Sequence, residues 1–552
     1  MPNNTIGNRK GAETVAETFH GWMRSFIDGL LCLYMILVLV GLPFYFQEGY
    51  TYIATRKTNF FSKNCMTLLK VLVPVLVIYG VTSAILYYRK NYTWKPLLKG
   101  KELRTYIRSK VRLMDLFAIW YSVMVILSYL FTNYKEEASW GAGGWYMGFK
   151  TQMILLSCYF LITWFWKPRK SFFFIGLGAS WVVFLLGYLN RFSIYPIDMP
   201  LSSPGFISTI GNINWYCGYV TTIFFAGAAF LWQGGGKKWW QKALLMVYVF
   251  VGYATLVTQG SAGGIATLGV ALLVMFCLSP GDGQRMFWFW VNALLLSAAC
   301  LFTMAFDRMN PEKMNFRDSY MDIMISGKLP YIMAGVSLAF LVLTGFLVKK
   351  GIYKKKPFQI LAVLAGAAVS CAVAAVVAGI VVNTLHPGSL GTLSENPFFT
   401  FTDSWGSNRG ATWKAGVQCF QEQNPGHKLV GVGPDAMAAY IYTDGSPELV
   451  EMLKRNFGES RLTNVHNEWL TILVDMGILG LAGFAGLIVS AVVTFLRKRS
   501  LNLIACACGL SVLAYTVNNI FSFEQIMNVT TMFLLLGMGR AFLRKQEEPA
   551  GE

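Results

Sequence analysis

The chain has 552 residues, of which 55% are hydrophobic, 15% aromatic and 14% charged, with a formal net charge of +19. Apolar runs of about 18 or more residues recur along its whole length, which excludes a soluble globular fold, because each run can cross a bilayer as one helix. Lys and Arg gather in alternate short loops, so the positive charge reads as membrane topology and contact with anionic lipid heads, not as a nucleic-acid surface.

A backbone in lipid must satisfy its own hydrogen bonds, so the expected fold class is an all-α polytopic membrane protein. The first run, "FIDGLLCLYMILVLVGLPFYF", is too long for a signal-peptide core and no small-x-small cleavage site follows it. It is read as the first membrane helix. About fourteen spans are expected, roughly at 26–46, 68–88, 112–131, 149–166, 171–189, 212–232, 242–259, 262–279, 286–305, 329–348, 357–383, 469–495, 501–521 and 526–543. The basic segments "YYRKNYTWKPLLKGKELRTYIRSKVR", "KPRK", "GGGKKWWQK", "KKGIYKKKP" and "RKRS" then share one side, with both termini cytoplasmic. The expected organisation is a cytoplasmic tail over 1–25, spans 1–11 over 26–383, a large extracytoplasmic loop over 384–468, spans 12–14 over 469–545, and a tail over 546–552. Ten scattered cysteines without CxxC spacing suggest neither a disulfide framework nor a zinc site.

The loop of about 80 residues is far longer than its neighbours, and loops longer than about 15 residues are usually functional or disordered. Its aromatic residues and the helical patterning of "ATWKAGVQCFQE" and "SPELVEMLKRNFG" predict an ordered unit. It re-enters the bilayer at His466, so it is the natural lid over a site at the outer surface.

Three segments of this region carry candidate chemistry. In "DSWGSNRGATWKAG", Arg409 sits in a turn just before a helix bearing Trp413, where free N–H groups and a guanidinium suit a phosphate. An exposed loop arginine touching lipid phosphates is the competing reading. In "KLVGVGPDAMAAY", Gly433 belongs to a tight glycine turn. In "NVHNEWLTILVDMGILGLAGF", His466 and Asn467 are read as lying three turns before Gly477 on one helix, with Gly477, Gly480 and Gly483 admitting a neighbouring helix. Asn467 alone fits a helix cap, whereas a histidine fits proton transfer at a buried polar interface. Asp28, Asp115, Asp475 and Glu524 are isolated or near span ends and are read as structural, which disfavours an ion pathway. His386, His427 and His466 are widely spaced and the nearest paired carboxylates are Asp318 and Asp322, so no preformed metal site and no cofactor is expected.

Taken in order, these segments resemble a known signature. His466-Asn467, nine residues, then Gly477-Ile478-Leu479-Gly480 is similar to the H-[N/S/Q]-x9-G-x-x-G signature of the O-antigen ligase and polymerase superfamily. "GSNRGATWKAGVQCF" resembles its Arg-Gly…Trp-Lys-Ala segment, "LVGVGPDAM" its Gly-x-Gly-Pro turn, and "STIGNINWYCGYV" its Ser-Thr-x-Gly-Asn-x-Asn segment. Two departures stand out. Gly260-Ser261-Ala262-Gly263 lies where the family often has Ser-Arg-Gly, so Arg191, Arg308 and Arg317 are candidates to replace the arginine missing at Ala262. Leu481 follows Gly480 where ligases commonly have a small hydroxyl residue.

The resemblance implies a GT-C-like membrane glycosyltransferase in the bacterial cytoplasmic membrane. It would move a glycan from an undecaprenyl-pyrophosphate carrier to the hydroxyl of a glycan or lipid acceptor on the outer face, without metal and with inversion. His466 would be the base and Arg409 the cation on the pyrophosphate. Asn467, Trp413, Asn212, Asn214 and Gly433 would line the substrate, joined by one or more of Arg191, Arg308 and Arg317. A polysaccharide polymerase extending a carrier-linked glycan uses the same residues. A lipid-linked glycan flippase is the different-class alternative, and it would require a charged path through the bundle.

Overall fold

The computed structural model describes residues 4–91, 111–201, 203–354 and 356–547. Most of the basic loop at 87–112, and parts of both terminal tails, lie outside the described residues. The main helices are α1 (Asn4–Ile36), α2 (Ile53–Asn91), α3 (Leu113–Phe131), α4 (Phe149–Phe165), α5 (Lys170–Arg191), α6 (Ile213–Trp232), α7 (Trp239–Thr258), α8 (Ala262–Cys277), α9 (Gly283–Met309), α10 (Leu329–Lys349) and α11 (Lys356–Leu385). The large loop supplies α12 (Trp405–Glu422), α13 (Pro425–Val430), α14 (Met437–Asp444) and α15 (Pro447–Phe457). The chain then returns through α16 (Glu468–Arg497), α17 (Leu503–Asn518) and α18 (Ile526–Glu547). Among the described residues, eleven helices are long and apolar enough to cross a membrane, and α4, α8 and α17 are shorter apolar helices. The protein is an all-α polytopic membrane protein; a short hairpin among the described residues pairs Phe206–Ile207 with Gly211–Asn212.

The packing order follows from what each helix can bury. From Tyr216 to Trp232 every residue of α6 is buried, and so is α18 from Ile526 to Leu543. These two helices form the centre of the bundle. By contrast α2, α10 and α11 leave Val, Leu and Ile side chains uncovered along their length. In a membrane such faces meet lipid tails, where exposure of apolar surface carries no penalty.

The carboxylates buried inside the bundle at Asp115 and Asp28 are paired, as a lipid environment demands. Asp115 and Arg540 meet at 3.3 Å with side-chain exposures of only 2% and 1%. Asp115 also accepts from the Tyr159 hydroxyl (2.5 Å) and the Arg112 amide (2.8 Å). Asp28 takes Arg169 and the Lys167 amide. Both carboxylates are therefore structural, as the sequence reading expects.

The loop between α11 and α16 folds as an ordered unit with its own small core of Ala415, Cys419, Ile441, Leu449, Leu453 and Val465. Its attachment to the bundle differs from the sequence expectation. Gly477 does not continue a regular helix: at φ +68°, ψ −177° it breaks α16. The break frees carbonyls that a straight helix would use internally. Val474 O then accepts from Val432 N (3.2 Å) and Gln423 Nε2 (3.1 Å), and Asp475 O from Gly433 N (3.0 Å) and Ser128 Oγ (2.7 Å). The contact is closed by two glycines. A Cβ on Gly431 would lie 2.0 Å from Asp475 O, and one on Gly477 would lie 2.3 Å from Leu429 O.

The spacing argument that put His466 and Gly477 on one helical face therefore fails, since His466 precedes α16 and the helix breaks between them. Gly480 also sits against Met476 of its own kinked turn. Close helix approach holds one turn later, where a Cβ on Gly483 would meet Trp120 of α3 at 2.7 Å. Gly477→Ala places a side chain in both a left-handed conformation and a backbone collision, and strained φ alone costs about 1–3 kcal/mol. Limited proteolysis in detergent is expected to cut the 384–468 loop of this variant several-fold faster; an unchanged cleavage rate would contradict docking through the kink.

Candidate active site

His466 stands between the loop and the bundle. Its backbone is left-handed (φ +52°), held by its amide donating to Asn464 Oδ1 at 3.0 Å. Such a φ is uncommon for a residue with a Cβ and marks a position fixed by its surroundings. The next residue, Asn467, caps α16: its Oδ1 accepts from Leu470 N at 3.1 Å. A strained turn followed by a cap presents the imidazole at the N-terminal end of α16. The ring lies edge-on to Phe523 at 5.1 Å, and Nδ1 is buried without a hydrogen-bond partner. Burial, followed by the nearby Arg409 cation and opposed by a backbone hydrogen bond at Asn464, lowers its pKa to about 4. The imidazole is thus neutral near pH 7 and able to accept a proton.

Arg409 opens the regular part of α12. Gly406, Ser407 and Asn408 all have positive φ (59°, 61° and 68°), so the chain coils through a left-handed turn before the helix begins. The guanidinium folds back over this turn, with Nε donating to Phe521 O (2.8 Å) and Nη1 to Gly406 O (2.7 Å). No carboxylate pairs with it among the described residues, and Nη2 has no protein acceptor there. Burial lowers its pKa without threatening its charge. Beside it, Trp413 joins Trp405 (5.5 Å), Phe401 (6.0 Å) and Phe521 (6.1 Å) in an aromatic wall, with its indole N–H buried and unpartnered.

The third component is the short link between α17 and α18, "FSFEQ", Phe521–Gln525. Phe521 supplies both the carbonyl for Arg409 and a ring of the aromatic wall, and Phe523 supplies the ring against His466. Ser522 O and Asn519 O accept from Glu468 N at 3.0 and 2.9 Å, joining the link to the start of α16. Glu524 accepts from Gln152 at 2.6 Å; burial and the neighbouring Glu468 raise its pKa, which favours the neutral acid. Sequence reading missed this link as part of the site and assigned Glu524 a structural role only. The available signal was a polar and aromatic interruption between two apolar runs.

A family model described as O-antigen ligase matches residues 330–485, which include Arg409 and His466. The match supports the resemblance to the O-antigen ligase/polymerase superfamily across that part of the chain. Comparison with curated proteins finds no match. That match and the apolar helices support a multi-pass membrane enzyme of the ligase or polymerase type.

The other residues proposed from the superfamily pattern separate by geometry. Arg191 does reach the segment where the family arginine is missing, and a Cβ on Gly260 would lie 3.1 Å from its Nη2. Its donors, however, are spent on Thr258 O (2.8 Å), Pro204 O (2.6 Å) and Gln259 O (2.7 Å), with Phe316 covering its face at 4.6 Å. These contacts make it a structural clasp. Arg317 is engaged by Asp307 and Asp322, so it too is not a free cation. Arg308 is exposed at the end of α9.

Asn467 is a cap, its Oδ1 already used. Gly433 likewise spends its N–H on Asp475 O and is packed against Thr132, so it docks the loop. Asn212 caps α6 through Asn214 N (2.9 Å), while Asn214 lies half-buried in the first turn. That turn approaches the site through Trp215, which meets Trp145, which in turn meets Phe523 (5.5 and 4.6 Å).

Hydrogen bonds to charged groups contribute about 1.5–3 kcal/mol each. Arg191→Ala is therefore expected to lower the thermal stability of the purified protein markedly, and Arg308→Ala to leave it unchanged. Melting both variants in one detergent checks this; equal melting temperatures would contradict the clasp role of Arg191.

Proposed function

We propose that this protein transfers a glycan from undecaprenyl pyrophosphate to an acceptor hydroxyl at the outer face of the cytoplasmic membrane. The observation that carries the reading is the meeting, at one link between α17 and α18, of an arginine without a carboxylate partner and a buried neutral histidine. A pyrophosphate leaving group needs cations and N–H donors, which a guanidinium supplies while staying charged. Arg409 Nη2 binds a pyrophosphate oxygen and stabilises the charge that grows there as the glycosidic bond breaks. His466 removes the acceptor proton while the acceptor oxygen forms the new bond to the anomeric carbon. The bonding pair of the old C–O bond leaves with the pyrophosphate, and the proton passes from the imidazolium to solvent. Displacement in one step inverts the anomeric centre.

The electrostatics favour this sequence. Arg409 is the second cause of the low histidine pKa, and a pyrophosphate on Arg409 cancels that cation. Donor binding therefore raises the basicity of His466 at the moment a base is needed. Paired, isolated charges within the bundle favour a transferase over a flippase.

In proteoliposomes supplied with carrier-linked glycan and candidate acceptors, His466→Ala is expected to lose about 10²–10⁴-fold in rate. Full activity in that variant would remove the base. A ladder on the carrier identifies a polymerase, transfer to another acceptor a ligase, and no covalent product at all would overturn the transfer reading. A base must be deprotonated, so kcat/KM is expected to hold down to about pH 5 and fall as pH drops through about 4, the free-enzyme value. The acid limb of kcat lies at higher pH, because bound pyrophosphate offsets Arg409. Coincident limbs for the two profiles would contradict the coupling.

A further inference from the structure

Directly after α11 the chain doubles back on the helix it has just left. A Cβ on Gly379 would lie 3.5 Å from the Leu390 side chain, although Gly379 stands well before the end of α11 at Leu385. At 1.5 Å per residue, the chain descends roughly 9 Å alongside the helix. The buried Asn383 fixes this fold-back. Its Nδ2 donates to Phe399 O (3.2 Å) and Thr400 Oγ1 (2.9 Å), and its Oδ1 accepts from Ser394 Oγ (2.6 Å). Phe401 N then closes the flap by donating to Thr384 Oγ1 at 2.9 Å. The flap, residues 386–401, contains two short helical turns, Gly391–Glu395 and Pro397–Phe399.

Its uncovered large side chains are apolar: Leu393 is 53% exposed and Phe398 41%. Leu385, 69% exposed, ends the row of uncovered side chains Val373, Val377 and Val381, which share one face of α11. The flap thus prolongs a lipid-facing surface. Scattered exposed apolar residues are ordinary on a soluble surface, but these stand at membrane depth. Counted from Ile360, just past the lysines at 354–356, about 20 residues fill a hydrocarbon core about 30 Å thick. That count puts Gly379 at the far edge of the core and the flap in the headgroup layer. No Lys or Arg occurs between positions 357 and 408, so charge does not hold the segment to lipid phosphates.

We infer that the 386–401 flap is a lipid-contact surface, seating Leu393 and Phe398 in the headgroup and upper acyl layer of the membrane that α11 spans. Interfacial segments bury their apolar side chains to a depth of about 5–10 Å, which matches the fold-back. The partner is the lipid surface itself, met by apolar contact and not by charge. The seat is joined to the site. Trp405 Nε1 donates to Phe398 O at 3.0 Å, and Trp405 packs on Trp413 at 5.5 Å in the helix that carries Arg409. The flap therefore sets the height of the Arg409 turn relative to the lipid headgroups. This contact stands apart from the transfer chemistry, since its depth is read without substrate.

The test is spin-label depth measurement on the full chain in phosphatidylcholine vesicles. Exposed Cys277 and Cys371 are first replaced by serine, and the unsubstituted background supplies the residual signal. Nitroxides are then placed singly through Leu393→Cys and Phe398→Cys. Val373→Cys on α11 gives the lipid reference, and Glu451→Cys on the exposed face of α15 gives the aqueous one. Collisions with oxygen, which partitions into lipid, are compared with collisions with a water-soluble nickel chelate. Labels at 393 and 398 are expected to favour oxygen clearly more than the label at 451. Their values should not change at about 1 M salt, where the Debye length falls to about 3 Å. In Phe398→Asp the label at 393 is expected to shift toward the aqueous value, with thermal melts showing that the variant is folded. Chelate access at 393 and 398 equal to that at 451 would overturn the lipid seat. Protection from both reagents would overturn it too, because it would mean that protein covers the flap. An unshifted label at 393 in folded Phe398→Asp, or a lipid signal that high salt abolishes, would contradict apolar seating. Loss of glycan transfer with the lipid signal intact would count against the transferase alone.

Discussion

The hydrogen bond from Arg409 to the Phe521 carbonyl ties the large loop to the last two membrane helices. A guanidinium at the edge of a bilayer must find acceptors, and a carboxylate would have been the strongest of them. The fold offers backbone carbonyls instead. The choice leaves the arginine positioned but not neutralised, so its charge still acts on its surroundings. It adds to the burial that lowers the basicity of His466, and it suits the site to an anion.

Orientation of the site depends on a second constraint, the break in α16. A membrane helix that loses its internal hydrogen bonds near the surface must replace them from elsewhere. Here the Gly431–Gly433 turn of the loop supplies the donors, and only residues without a Cβ permit the approach. The glycines of the signature thus anchor the loop, and the loop in turn delivers Arg409 to His466. Signature residues far from the reacting atoms still govern the chemistry through position.

Much of this was legible in the sequence. Hydropathy placed most helices from α3 onward within a few residues of where they form, because span length is set by bilayer thickness, whereas α1 and α2 begin well before the expected spans at 26 and 68. Asp28 and Asp115 read correctly as structural, since isolated charges in lipid must pair. What failed was inference from regular spacing. His466 and Gly477 were read as one face of a helix that in fact begins after the first and breaks at the second, and no periodicity argument sees a positive φ. For Arg191 and Gly433, sequence shows the donors but not the carbonyls that already occupy them. The Phe521–Gln525 link was missed for a related reason. Its contribution is a carbonyl and two ring faces, supplied across the fold by a segment about 110 residues from Arg409 in sequence.

The most direct test is a cryo-electron microscopy structure of the His466→Ala protein in lipid nanodiscs, bound to a carrier-linked glycan. The account predicts the pyrophosphate on Arg409 Nη2, with the anomeric carbon facing the space vacated by the imidazole. Pyrophosphate bound instead at Arg308, at Arg317 or on the opposite side of the membrane, with Arg409 unengaged, would contradict it.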